Sequence, residues 1–181
     1  MRRLCARSSS ATSARGLGNG AAGRDAAFYN CIVTGNRSYS QPLLHNCNIV
    51  NCTVFGNESA SLWEGAYVRN SLFFTNTAST AGIKDVRNTV IDVFTSVAEG
   101  DQVWRDNHAG VDLHQVISPA FEDVRPIEGA VAATAGSAES MRIYGATVKE
   151  EYLRFDFFGN PIPESKVTWS SIKTVYIASL K

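Results

Sequence analysis

Four segments of this chain align without gaps, and their spacing limits its fold more than any other feature. They are Phe28-Tyr29-Asn30-Cys31-Ile32-Val33-Thr34-Gly35-Asn36, Ile49-Val50-Asn51-Cys52-Thr53-Val54-Phe55-Gly56-Asn57, Val68-Arg69-Asn70-Ser71-Leu72-Phe73-Phe74-Thr75-Asn76 and Val86-Arg87-Asn88-Thr89-Val90-Ile91-Asp92-Val93-Phe94. The asparagines in the third column, Asn30, Asn51, Asn70 and Asn88, lie 21, 19 and 18 residues apart. A repeat of about 20 residues, built from β-branched, aromatic and turn-forming side chains, predicts a solenoid of short strands.

The columns say how such turns would stack. The first column is always apolar (Phe28, Ile49, Val68, Val86). The fourth is small (Cys31, Cys52, Ser71, Thr89), and the sixth is apolar (Val33, Val54, Phe73, Ile91). Columns four and six are two residues apart on a strand, so both are predicted to face inwards. Asparagine tolerates the left-handed backbone of a sharp corner. Stacked at roughly 4.8 Å, amides in the third column can also hydrogen-bond from turn to turn. Columns five (Ile32, Thr53, Leu72, Val90) and seven (Thr34, Phe55, Phe74, Asp92) then face outwards. They are more apolar than a wetted face, which predicts that something covers them or binds there. A second Asn-Cys pair, Asn46-Cys47, precedes Asn51-Cys52 by five residues and predicts several strands per turn.

Rungs of the form Asn-Cys-x-Val-x-Gly-Asn resemble the right-handed parallel β-helix repeat proteins of bacteria, a superfamily that includes pectate-lyase-like folds. Ser118-Pro119-Ala120-Phe121 is similar to the Asp-Pro-Leu-Phe segment that often follows the last rung there, and Asp156-Phe157-Phe158-Gly159-Asn160-Pro161 to a turn further on. Glu122 to Gly136 resembles the intervening stretch that ends in Ala-Gly. Departures include Ser118 and Thr134 where the family usually has aspartate, and the Lys173-Thr174-Val175-Tyr176-Ile177 finish. The resemblance implies an all-β chain: a right-handed parallel β-helix of three to four rungs over 25–117 and a non-repeating cap over 118–181. It further implies the C-terminal portion of a longer extracellular or cell-surface protein. Residues 1–24 contain Arg2, Arg3, Arg7, Arg15 and Arg24 with no acid before Asp25. They read as a disordered or truncated leader, with a composition that also resembles an organelle transit peptide.

Composition removes several function classes. Seventeen basic and 17 acidic residues leave no net charge, so there is no electrostatic case for nucleic acid. No apolar run approaches the roughly 20 residues of a membrane helix. The four cysteines form no CxxC pair, and the three histidines complete no zinc spacing. The cysteines read as small buried side chains, and no metal or cofactor is expected; calcium enters only if the chain is lyase-like. Asn36-Arg37-Ser38, Asn51-Cys52-Thr53 and Asn57-Glu58-Ser59 match the glycosylation sequon, a match the asparagine repeat also produces by chance.

In β-helix enzymes the resemblance places chemistry on an outward face, with acids that hold calcium beside a base in the lyases and paired carboxylates in the hydrolases. Asp92 is the one acid in the outward columns. Arg69 and Arg87 share the second column and form a strip suited to uronic acid carboxylates. The polar stretch from Asp101 to His108, read as a long loop, adds Asp101 and Asp106 as candidate catalytic acids and Trp104 and His108 as candidate sugar contacts. Phe55 and Phe74, one turn apart, make a candidate aromatic platform. Each has an ordinary structural reading beside it: solvated arginines, a plain surface loop, a covered aromatic stack. The expected function is a non-catalytic module, polysaccharide-contacting or structural, as a monomer or part of a longer chain. A fragment of a polysaccharide lyase or glycoside hydrolase is the first alternative, and an adhesin-like surface protein the second.

Overall fold

The computed structural model describes residues 22–80, 82–92 and 103–112, with the short stretches 116–118, 123–126, 131, 142–143 and 146–147. A first turn contains β1 (Gly23–Arg24), β2 (Ala27–Tyr29) and β3 (Ile32–Thr34). A second contains β4 (Pro42–His45), β5 (Asn48–Val50) and β6 (Thr53–Phe55). A third contains β7 (Glu58–Glu64), β8 (Ala66–Arg69) and β9 (Leu72–Phe74), and a fourth β10 (Thr77–Ser79), β11 (Ile83–Arg87) and β12 (Val90–Ile91). Strands β13 (Val103–Arg105) and β14 (His108–Ala109) belong to a fifth. Each strand pairs in parallel with its counterpart one turn away, giving three sheets: β1-β4-β7-β10, β2-β5-β8-β11-β13 and β3-β6-β9-β12-β14. The chain is an all-β parallel solenoid, as the repeat predicts. β1 uses Gly23–Arg24, so the winding includes the end of the stretch read as a leader.

The register reproduces the columns. Phe28 pairs with Ile49, Ile49 with Val68 and Val68 with Val86; Val33, Val54, Phe73 and Ile91 follow one another likewise. All eight are buried and, with Cys31, Cys47, Cys52, Leu44 and Trp63, fill the coil. Trp63 meets Phe73 edge-on at 4.8 Å and donates its indole N–H to the Thr80 carbonyl at 3.0 Å. Its one polar atom is therefore satisfied inside an apolar interior.

Each corner is made by one residue at positive φ, between 47° and 86°. The first-to-second sheet corner uses Asp25, Asn46, Gly65 and Gly82; the second-to-third uses Asn30, Asn51, Asn70, Asn88 and Asp106; the return to the first uses Gly35, Gly56, Thr75 and Gly110. Asparagine, aspartate and glycine are the residues that tolerate this region most readily. The residue after the bend explains the Asn-Cys motif. Cys31, Cys47, Cys52, Ser71 and Thr89 each donate from Sγ or Oγ to the carbonyl two residues earlier, at 2.8–3.3 Å. A short inward donor thus satisfies a carbonyl that the bend turns into the coil.

One sequence expectation is revised here, and the ninth column adds an interlocking amide ladder, where Asn36 Nδ2 donates to Asn57 Oδ1 at 2.9 Å and Asn57 Nδ2 to Asn76 Oδ1 at 2.8 Å. In the third column Asn51 is a corner residue whose buried Nδ2 has no hydrogen-bond partner. The segment around 103–109, read as loop, is instead part of a fifth turn. Asp106 follows Asn88 by 18 residues and makes the same bend. Asn107 takes the inward position, accepting from the Thr89 N–H at 2.9 Å and donating to the Val86 carbonyl at 2.8 Å. Further along, β15 (Val116–Ser118) pairs antiparallel with β16 (Asp123–Pro126), and β17 (Arg142–Ile143) with β18 (Ala146–Thr147), unlike the parallel winding before them.

Candidate functional site on the outer face

In the second sheet the column that alternates with Phe28, Ile49, Val68 and Val86 reads Tyr29, Val50, Arg69 and Arg87 in register, and Val50 and Arg69 in it are buried. The arginine strip expected at Arg69 and Arg87 is therefore present as a pair of stacked neighbours, and the backbone of Arg105 continues the column. Asp85, two residues before Arg87, stands between them. Arg69 Nη2 reaches Asp85 Oδ2 at 2.6 Å, while Arg87 bonds the same carboxylate through Nε at 2.8 Å and Nη2 at 2.9 Å. Arg69 Nη1 also donates to the carbonyls of Val68 and Asp85, each at 2.8 Å.

The two arginines differ in their access to water. The Arg69 side chain is 2 % exposed, and burial lowers its affinity for a proton while Asp85 opposes that loss. Arg87 remains 33 % exposed. Two guanidinium groups share one carboxylate, so the cluster keeps one net positive charge with Arg87 as its accessible member. Asp-x-Arg within a strand, beside an arginine one turn below, is the sequence signal for the pair with Asp85.

The other candidates are more dispersed. Phe55 and Phe74 stack at 5.2 Å with their planes 2° apart, but both are buried, as are Thr53, Leu72 and Val90 in the neighbouring outward column. The outer face of the third sheet is thus out of water at these turns, and the two rings do not form an open platform. The Asp92 carboxylate accepts the Thr75 N–H, while the Thr75 hydroxyl accepts the Gly56 N–H at 3.2 Å. Asp92 therefore continues a chain of caps along a corner. Asp106 makes a bend of the fifth turn, His108 lies exposed in β14, and Trp104 is in register with Val86. Asp101 lies outside the described residues.

Asp92 and Asp106 sit at opposite ends of the third sheet's strands. They are four columns apart, roughly 13 Å along the strand direction. The paired carboxylates of glycoside hydrolases stand about 5–9.5 Å apart. Among the described residues no three metal-ligating side chains converge. The sequon asparagines Asn36, Asn51 and Asn57 are all buried, two of them within the ladder. No family model, curated protein or solved structure matches this chain.

Proposed function

We propose that the chain is a non-catalytic β-solenoid module of a secreted or cell-surface protein, and that its second sheet contacts an acidic polysaccharide. The observation that carries this reading is the arginine column, in which Arg87 keeps a third of its side chain in water beside the Arg69–Asp85 pair. A planar guanidinium held by a neighbouring carboxylate is preorganised for a second, bidentate carboxylate partner. A lyase or hydrolase reading finds less support. Asp85 is shared by two arginines, Asp92 caps Thr75, and Asp106 stands a strand's length from Asp92. Groups committed in this way lack the mutual geometry of an acid and base pair.

The test is binding of polygalacturonate and of a neutral glucan by calorimetry, with and without calcium, followed by assays for unsaturated products and new reducing ends. The expected result is binding of the acidic polymer alone, weakened by salt and at least tenfold by Arg87→Ala, with no cleavage. Cleavage at any calcium concentration would overturn the non-catalytic reading. Equal affinity for both polymers would overturn the role of Arg87.

A further inference from the structure

Column four begins with two thiols one above the other. Cys31 belongs to the first turn and Cys52 to the second; Thr53, next to Cys52, donates its N–H to the Cys31 carbonyl at 2.9 Å. The register of β3 on β6 pairs Ile32 with Thr53, which places the two cysteines as direct neighbours across the turn. Both point into the coil and are almost fully buried. Cys52 Sγ leans between the turns, 3.3 Å from the Val50 carbonyl of its own turn and 3.5 Å from the Phe28 carbonyl of the turn below. Adjacent strands are roughly 4.8 Å apart, inside the range of about 4.4–6.8 Å over which Cα atoms are joined by disulfides. Later turns place Ser71 and Thr89 in this column, so Cys31 and Cys52 are its one pair of stacked thiols among the described residues.

Access to the pair requires the coil to open locally, which a solenoid does turn by turn without unfolding as a whole. In the closed coil the Cys52 thiol is kept protonated by burial and by Cys31 beside it, so an oxidant reaches the pair only when the coil opens between these two turns.

We propose that Cys31 and Cys52 form a redox staple that locks the first turn of the solenoid to the second under oxidising conditions. With oxidised glutathione as the oxidant, the Cys31 thiolate attacks one glutathione sulfur and expels a glutathione thiolate, leaving a mixed disulfide. The Cys52 thiolate then attacks the Cys31 sulfur and expels the second glutathione. The protein loses two electrons and two protons, and one oxidised glutathione becomes two reduced molecules. The product constrains the chain between the two cysteines in the unfolded state and ties two neighbouring turns together in the folded one.

The experiment equilibrates the full native chain in a series of glutathione redox buffers without denaturant. Remaining thiols are alkylated, and the peptides are mapped by mass spectrometry. The expected product joins Cys31 to Cys52 at the cost of the mass of two hydrogen atoms. It raises the thermal midpoint by about 5 °C, and dithiothreitol reverses the rise. Cys52→Ser keeps an inward donor of the kind Ser71 already supplies, and it is expected to show neither the link nor the rise; Cys31→Ser is the second control should that variant misfold. Three outcomes would each overturn the proposal: both thiols remaining free in oxidised glutathione, a link made through Cys5 or Cys47 instead, or a Cys31–Cys52 link that forms only in denaturant.

Discussion

Asn57 sits in the middle of a three-amide ladder, its Nδ2 donating to Asn76 Oδ1 while its Oδ1 accepts both the backbone N–H and the Nδ2 of Asn36. The same Nδ2 lies 3.0 Å from the carbonyls of Val33 and Phe55, so one buried side chain serves two turns and the bend between them. Asn57→Ala would strand the Asn36 backbone N–H and leave the two carbonyls dependent on other partners. An unpaired buried polar group costs about 1–3 kcal/mol, so a loss of about 3 kcal/mol is expected in urea denaturation. Asn36→Ala, at the end of the ladder, is expected to cost about half as much.

The corners make a second prediction. Gly56 and Gly82 both bend at positive φ, +61° and +86°. A Cβ on Gly56 would meet only the Thr34 hydroxyl, at 3.6 Å, whereas on Gly82 it would stand 3.0 Å from the Trp63 carbonyl oxygen. Gly56→Ala should therefore cost little beyond the left-handed backbone penalty of about 1–2 kcal/mol. Gly82→Ala should cost visibly more, because backbone must move. Thermal unfolding of the two variants side by side checks the order.

These residues also separate what the sequence carries from what only the fold decides. The inward columns were legible because a cramped interior narrows the chemistry at Phe28, Cys31 and Val33 and at every position stacked on them. The amide ladder of the ninth column was not, because both the third and ninth columns hold asparagine and only the backbone decides which of them bends. The fifth turn was missed because Asp106-Asn107 stands where Asn-Cys was expected, although its spacing from Asn88 fits. For Asp92, sequence marks an outward acid but cannot distinguish a free carboxylate from one capping the Thr75 N–H. For Phe55 and Phe74, an apolar outward column predicts cover or a ligand alike, and burial chooses cover.

Alkaline pH probes the interior of the coil. Burial pushes the Cys47 thiol up from 9.0 to about 11. A thiol whose value is higher folded than unfolded favours the folded state while it is neutral. Its contribution is complete below pH 9.0 and disappears as pH rises through about 11. The native chain is therefore expected to lose about 3 kcal/mol through this group across that window. Cys47→Ala removes the titration and retains a residue already found at the equivalent Ala26 and Ala66. The measurement is the difference between native and variant stability at several alkaline pH values. A difference that does not change with pH would contradict the prediction.

The ion triad separates a charge that is dispensable from one that is not. Asp85→Ala leaves Arg69 buried, with only carbonyls to accept from it, and removing one partner of a buried pair costs about 3–5 kcal/mol. Arg69→Met preserves the apolar stem and leaves Asp85 with its two bonds to Arg87, so about 1–2 kcal/mol is expected. Arg87→Ala removes a group a third of which is in water, and the stability cost should stay below about 1 kcal/mol. The expected order in urea is Asp85→Ala worst, then Arg69→Met, then Arg87→Ala. The order matters for function as well. If Arg87→Ala is nearly neutral to folding, its loss of acidic polymer binding can be read as recognition, whereas the same loss in Asp85→Ala could come from the collapse of the sheet that presents it. A destabilisation by Arg87→Ala equal to that of Asp85→Ala would show that the exposed arginine holds the fold as firmly as the buried one, and the column would then be structural throughout.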